Sequence, residues 1–154
     1  MLMQKPFQRL GSDSNTQVGN DFEGVARSFF AKQGIPLQPG HTVRIGVTAS
    51  TKAHSFDLGS AAPKLIVECK CHRWTKPGDN VPSAKLTVWN EAMYYFHLAP
   101  ADYRKVLFVL RDLRGGKGES LASYYLRTYG HLIPEGVEVW EYDENTGAAQ
   151  RVSI

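Results

Sequence analysis

The stretch KLIVECKCH, residues 64–72, decides how the chain reads. It opens on three apolar residues, Leu65, Ile66 and Val67, and turns polar at Glu68. A short, continuous apolar run of this kind predicts a strand buried on both faces, with neighbours on either side. Side chains two apart on a strand share a face, so Glu68 and Lys70 project side by side. Two charged residues on a central strand need a reason, because Glu and Lys are seldom buried unless paired. Cys69 and Cys71 alternate with them and are expected on the opposite face as small core residues.

Immediately upstream, residues 55–58 predict a short strand ending at Gly59, with Asp57 near its close. If this strand pairs with residues 64–72 as a hairpin, Asp57 and Glu68 converge within reach of one cation. Two carboxylates suit a hard divalent ion such as Mg²⁺, which keeps its other positions for water and phosphate oxygens. A lysine beside them can orient or deprotonate a metal-bound water, or offset charge building on phosphoryl oxygens. Plainer accounts exist for each residue. Glu68 and Lys70 could neutralise one another at the surface, and Asp57 before Leu58-Gly59 could be a turn residue.

Working further outward, residues 21–33 predict a helix, with Asn20 as N-cap, Gly34 as stop, and Phe22, Val25, Ala26 and Phe29 facing the core. Pro36 and Pro39 then break the chain, and residues 42–48 predict a strand alternating Val43, Ile45 and Val47. Downstream, a polar loop spans residues 75–82. Residues 84–98 predict a second helix, capped by Ser83, with a stripe of Leu86, Trp89, Met93 and Phe96. Asn90 and Glu91 lie off that stripe, where one of them could line a site. Residues 105–110 (KVLFVL) predict another strand buried on both faces. A third helix is expected over residues 119–129, a strand over 137–142, and a hairpin return over 148–154 after the Asn145-Thr146-Gly147 turn. Helices interleaved with a mixed sheet give an α/β layered domain.

The motif Phe56-Asp57, then Glu68-Cys69-Lys70, with Glu23 on the first helix, resembles the PD-(D/E)xK nuclease superfamily. The resemblance spans roughly residues 21–110, and Phe56 stands where that family has its proline. It implies a restriction-endonuclease-like αβββαβ core, a mixed central sheet flanked by helices, here with a C-terminal helix and strand or hairpin extension. It further implies that Asp57 and Glu68 bind the metal with the backbone carbonyl of Cys69, that Lys70 is the catalytic lysine, and that Glu23 is an accessory acid. Glu23 has a rival explanation, since Asn20-x-x-Glu23 also fits a capping box. The acid spacing is similar to that of archaeal Holliday-junction resolvases as well. The aromatic C-terminal half, with Trp140 and the pair Tyr124-Tyr125, departs from that compact pattern.

Arg73, Lys76 and Lys85 flank the loop after the Glu68-x-Lys70 strand, with Trp74 among them. Arg111, Arg114 and Lys117 occupy the loop after the 105–110 strand. Both loops could grip a nucleic-acid backbone, or carry ordinary solvated charge. His72, on the Glu68–Lys70 face, could contact a phosphate or sit solvated. His54, His41 and His97 have no partner that sequence reveals.

With 154 residues, 42% hydrophobic and 21% charged, the chain has globular rather than disordered composition. The net charge of +3 permits a polyanionic partner without demanding one. Only two cysteines occur, which fits neither a disulfide scaffold nor a zinc site. No apolar run suits a signal sequence or a membrane span. The expectation is a cytoplasmic protein with no membrane partner, residues 1–18 as a loosely ordered lead-in and residues 19–154 as one nuclease-like domain. The expected function is Mg²⁺-dependent hydrolysis of phosphodiester bonds in nucleic acid, with DNA favoured and Mn²⁺ able to substitute. It would be an endonuclease, restriction-like or structure-selective; sequence-specific restriction by so small a chain would need recognition loops or a homodimer partner. The alternative is a non-catalytic nucleic-acid-binding or assembly domain that keeps the fold.

Overall fold

The computed structural model describes residues 15–153. Its elements are α1 (Asn15–Lys32), β1 (Gln38–Ile45), β2 (Lys52–Ala61), β3 (Lys64–Lys70), α2 (Ser83–Leu98), β4 (Arg104–Leu110), α3 (Leu121–Tyr129), β5 (Glu138–Asp143) and β6 (Ala148–Val152). The strands form one open, mixed sheet in the order β1-β2-β3-β4-β5-β6. β3, β4 and β5 run parallel, and the remaining neighbours pair antiparallel. The α/β class expected from sequence is the observed one.

The apolar run of β3 explains its place. Leu65 and Val67 pack with Phe22, Ala26 and Phe30 of α1 on one face of the sheet. Ile66 packs on the other face, with Trp89 and Phe96 of α2 and Tyr125 of α3. A strand covered on both sides has to be apolar at every position, and β4 obeys the same rule from Val106 to Leu110. α1 ends where Gly34 takes φ 80° and the Ile35 N–H returns to the Phe30 carbonyl, a glycine-terminated helix end.

Several boundaries differ from expectation, each for a physical reason. α1 is assigned from Asn15, so the last residues of the expected 1–18 lead-in are helical; residues 1–14 of that lead-in lie outside the described residues. Asn20 therefore lies within the helix, and a capping role cannot account for Glu23. β1 starts at Gln38 and takes in Pro39, because an edge strand tolerates a missing N–H. The strand stops at Ile45 rather than at residue 48, and Val47, the last member of the expected alternation, is 72% exposed. In α2, Ser83 is the first helical residue rather than the cap; Pro82 holds the cap position with no side-chain bond. α3 begins at Leu121, with the Ser120 hydroxyl accepting from the Ser123 N–H at 3.1 Å.

Gly59 does not end its strand. β2 continues to Ala61, and His41 of β1 lies across the bare glycine backbone. A Cβ at position 59 would stand 2.5 Å from the His41 Cβ. Gly59→Ala is expected to destabilise the fold by about 1–3 kcal/mol, the usual cost of overpacking, read as a lower urea midpoint at unchanged slope.

Candidate active site

The two strands that carry the acidic residues part company at the site. β2 and β3 are paired from Leu58↔Val67 to Ala61↔Lys64, and the ladder goes no further. Asp57 is the first residue of β2 beyond it. It is therefore mid-strand, at the end of the pairing rather than at the end of the strand as expected. Side-chain alternation also breaks here. Phe56 stacks on Phe96 on the α2 side, whereas Leu58 packs on the α1 side. Regular alternation would put both on one face, so the irregularity falls at Asp57.

The gap left by the ladder is filled by the Asp57 carboxylate, whose Oδ2 accepts from the Cys69 N–H at 2.8 Å. This bond joins β2 to β3 where backbone pairing has stopped and brings Asp57 beside Glu68. The Asp57 carboxylate acts electrostatically on both Glu68 and Glu23. Lys70 Nζ stands 3.8 Å from Glu68 Oε2. All four residues singled out from sequence are thus brought together, with Glu23 reaching Asp57 from α1.

Electrostatically the cluster is short of positive charge. Glu68 is only 7% exposed. Burial first, then the neighbouring Asp57 carboxylate, push its pKa up to about 8, against the pull of Lys70. Glu23 is raised to about 6, again by burial first and Asp57 second. Buried acids that cannot all ionise together form a donor set suited to a divalent cation. Asp57 and Glu68 could hold one with the Cys69 carbonyl, leaving further positions to water and substrate oxygens. Among the described residues, no group of three or more His, Cys, Asp or Glu forms a ready-made metal cage.

His54 and Tyr95, which sequence reasoning did not assign, complete the cleft together with Glu91, one of the two α2 residues expected as possible lining. His54 Nε2 lies 4.0 Å from Glu68 Oε1, and its ring stacks on Tyr95 with centroids 4.0 Å apart. Its pKa is lowered, chiefly by burial. Glu91 and Tyr95 share a face of α2 with Val88, at spacings of three and four. That second stripe was legible in the sequence once the apolar stripe had been set aside. His54 was not, because the expected strand began one residue after it. Asn90 plays another part and accepts from the Tyr125 hydroxyl at 2.8 Å.

The basic residues divide into two groups. Arg73 is held by Glu144 at 2.8 Å and Asp112 at 3.6 Å, tying the loop after β3 to those after β4 and β5. Arg111 pairs with Glu141 and Asp143, Lys76 with Asp79, and Arg114 lies over the Trp74 ring at 4.5 Å. Lys85, in the first turn of α2, and Lys117 are exposed. Removing Arg73 would leave largely buried carboxylates without their cation. Arg73→Ala is expected to cost about 3 kcal/mol, measured by denaturant unfolding, while Lys117→Ala should change stability by less than about 0.5 kcal/mol.

Cys69 and Cys71 are half-buried and pack on the α1 side, the small core role expected of them. No helix among the described residues is long and apolar enough to cross a membrane. No family model, curated protein or solved structure matches this chain.

Proposed function

We propose that this protein is a divalent-metal-dependent nuclease of the PD-(D/E)xK type, hydrolysing phosphodiester bonds in DNA. The observation that carries the proposal is the meeting of Asp57, Glu68 and Lys70 where the β2–β3 ladder opens. A half-buried lysine beside two crowded carboxylates costs the fold stability, and such clusters gather at functional sites. The finer fold assignment, a restriction-endonuclease-like core, is supported by the order of elements from α1 to β4, with α3 and the β5–β6 hairpin appended.

Asp57 and Glu68, with the Cys69 carbonyl, would hold Mg²⁺, and Mn²⁺ would substitute. Bound there, the cation would offset phosphoryl charge and acidify water. The protein's own groups supply the rest. Asp57 is oriented by the Cys69 N–H through Oδ2. Lys70 directs its ammonium group at the Glu68 edge of the cleft, where it can orient the attacking water or stabilise charge on a phosphoryl oxygen. Glu23, whose pKa is raised by burial and by Asp57, would serve as the accessory acid.

The test is a cleavage assay with Mg²⁺ or Mn²⁺ on plasmid, linear duplex, single-stranded and four-way-junction DNA, and on RNA, with Asp57→Ala beside wild type. The proposal requires metal-dependent cleavage that Asp57→Ala loses. Equal activity in the variant would rule this site out. Binding without cleavage on every substrate would instead point to a non-catalytic nucleic-acid-binding or assembly domain.

A further inference from the structure

We propose that His72 is a fixed hydrogen-bond donor which, with Lys85, forms a phosphate subsite for the phosphodiester next to the one cleaved. This rests on the nuclease reading of Asp57, Glu68 and Lys70. The chemistry begins at Trp89. An indole N–H can only donate. Trp89 Nε1 lies 2.8 Å from His72 Nδ1, so that nitrogen must offer its lone pair. A neutral imidazole whose Nδ1 accepts carries its proton on Nε2. The tautomer of His72 is thereby set by a residue that is itself fully buried.

The surroundings favour an anion at that Nε2–H. Burial first, and then the positive charges of Lys70 and Lys85, hold the His72 pKa down at about 4. His72 is therefore neutral at physiological pH and remains a donor without adding repulsion between cations. Lys85 brings mobile positive charge from the first turn of α2, and His72 brings a donor of fixed direction. His72 lies two residues beyond Lys70, the last residue of β3, and its bond to Trp89 sets it on the α2 side of the sheet, where the cleft opens. A phosphodiester chain leaving the cleft toward the loop after β3 would meet it next. The partner is a nucleic-acid strand, recognised by its backbone and not by its bases.

Two measurements test this without relying on turnover. The first uses wild-type protein alone. Long-range ¹H–¹⁵N correlation at neutral pH should show His72 as the Nε2–H tautomer, and inorganic phosphate should shift that nitrogen. The second is the affinity for short DNA and RNA duplexes in EDTA. His72→Phe should weaken binding about tenfold, the worth of one hydrogen bond to a charged group. His72→Gln, whose amide can donate from a similar position, should recover most of the loss. Lys85→Ala should lower the slope of log affinity against log salt by about one. An Nδ1–H tautomer or an imidazolium at neutral pH would overturn the proposal, as would unchanged affinity in His72→Phe. Failure of wild type to cleave would remove the nuclease reading, yet binding that depends on His72 would leave a phosphate subsite standing.

Discussion

Lys70→Ala is expected to reduce metal-dependent phosphodiester cleavage by about 100- to 10,000-fold, the range a positioned acid–base group supplies. The fold should survive it. Lys70 is the last residue of β3, and its backbone stays paired with β4 at Val109 whatever its side chain. Its removal also takes away the cation that favours ionisation of Glu68. The variant should therefore be somewhat less stable than wild type at alkaline pH and close to it in acid. Single-turnover kinetics with excess enzyme would separate this chemical effect from weaker substrate binding, because the loss should lie in the cleavage step.

Glu68→Gln should have the opposite signature on stability while also abolishing cleavage. Glu68 is buried against Asp57, so its proton is held more tightly in the folded chain than in the unfolded one. Its pKa is near 8 when folded, against an ordinary value of 4.5. Between those values the folded state binds more protons than the unfolded, so stability falls as pH rises. The contribution is fully present below about 4.5 and is lost as the pH climbs through about 8. A neutral amide cannot ionise and escapes that loss. In EDTA, thermal melts should show wild type declining over this interval and Glu68→Gln declining less, with the gap widest at the alkaline end. Adding Mn²⁺ should restore wild type and leave the variant unmoved. A gap that narrows with rising pH would contradict the proposed environment of Glu68.

This opposition between stability and activity is characteristic of a site that crowds like charges for a purpose. It also bears on how much the sequence could reveal. Period-two geometry was enough to place Glu68 and Lys70 on one face, because the LIV run before them left no other position for the strand than the sheet interior. The element order followed from apolar runs and glycine or proline punctuation. Other features depended on distant partners. Arg73 reads as a candidate phosphate ligand in the sequence, but its acid, Glu144, lies 71 residues away. Pro39 reads as a breaker until β1 is known to be an edge strand. The spacing of Asp57 hinted at its role. The parting of β2 from β3, beside which its carboxylate accepts from the Cys69 N–H, is a feature of strand pairing that no local pattern encodes.

The most direct measurement is crystallographic. Crystals of the wild-type protein soaked in Mn²⁺ should give an anomalous peak between the Asp57 and Glu68 carboxylates, about 2.0–2.2 Å from an oxygen of each. The peak should vanish in Asp57→Asn crystals treated in the same way. A peak bound elsewhere, or an empty site in well-ordered wild-type crystals at saturating Mn²⁺, would contradict the assignment of these two residues as a metal-binding pair.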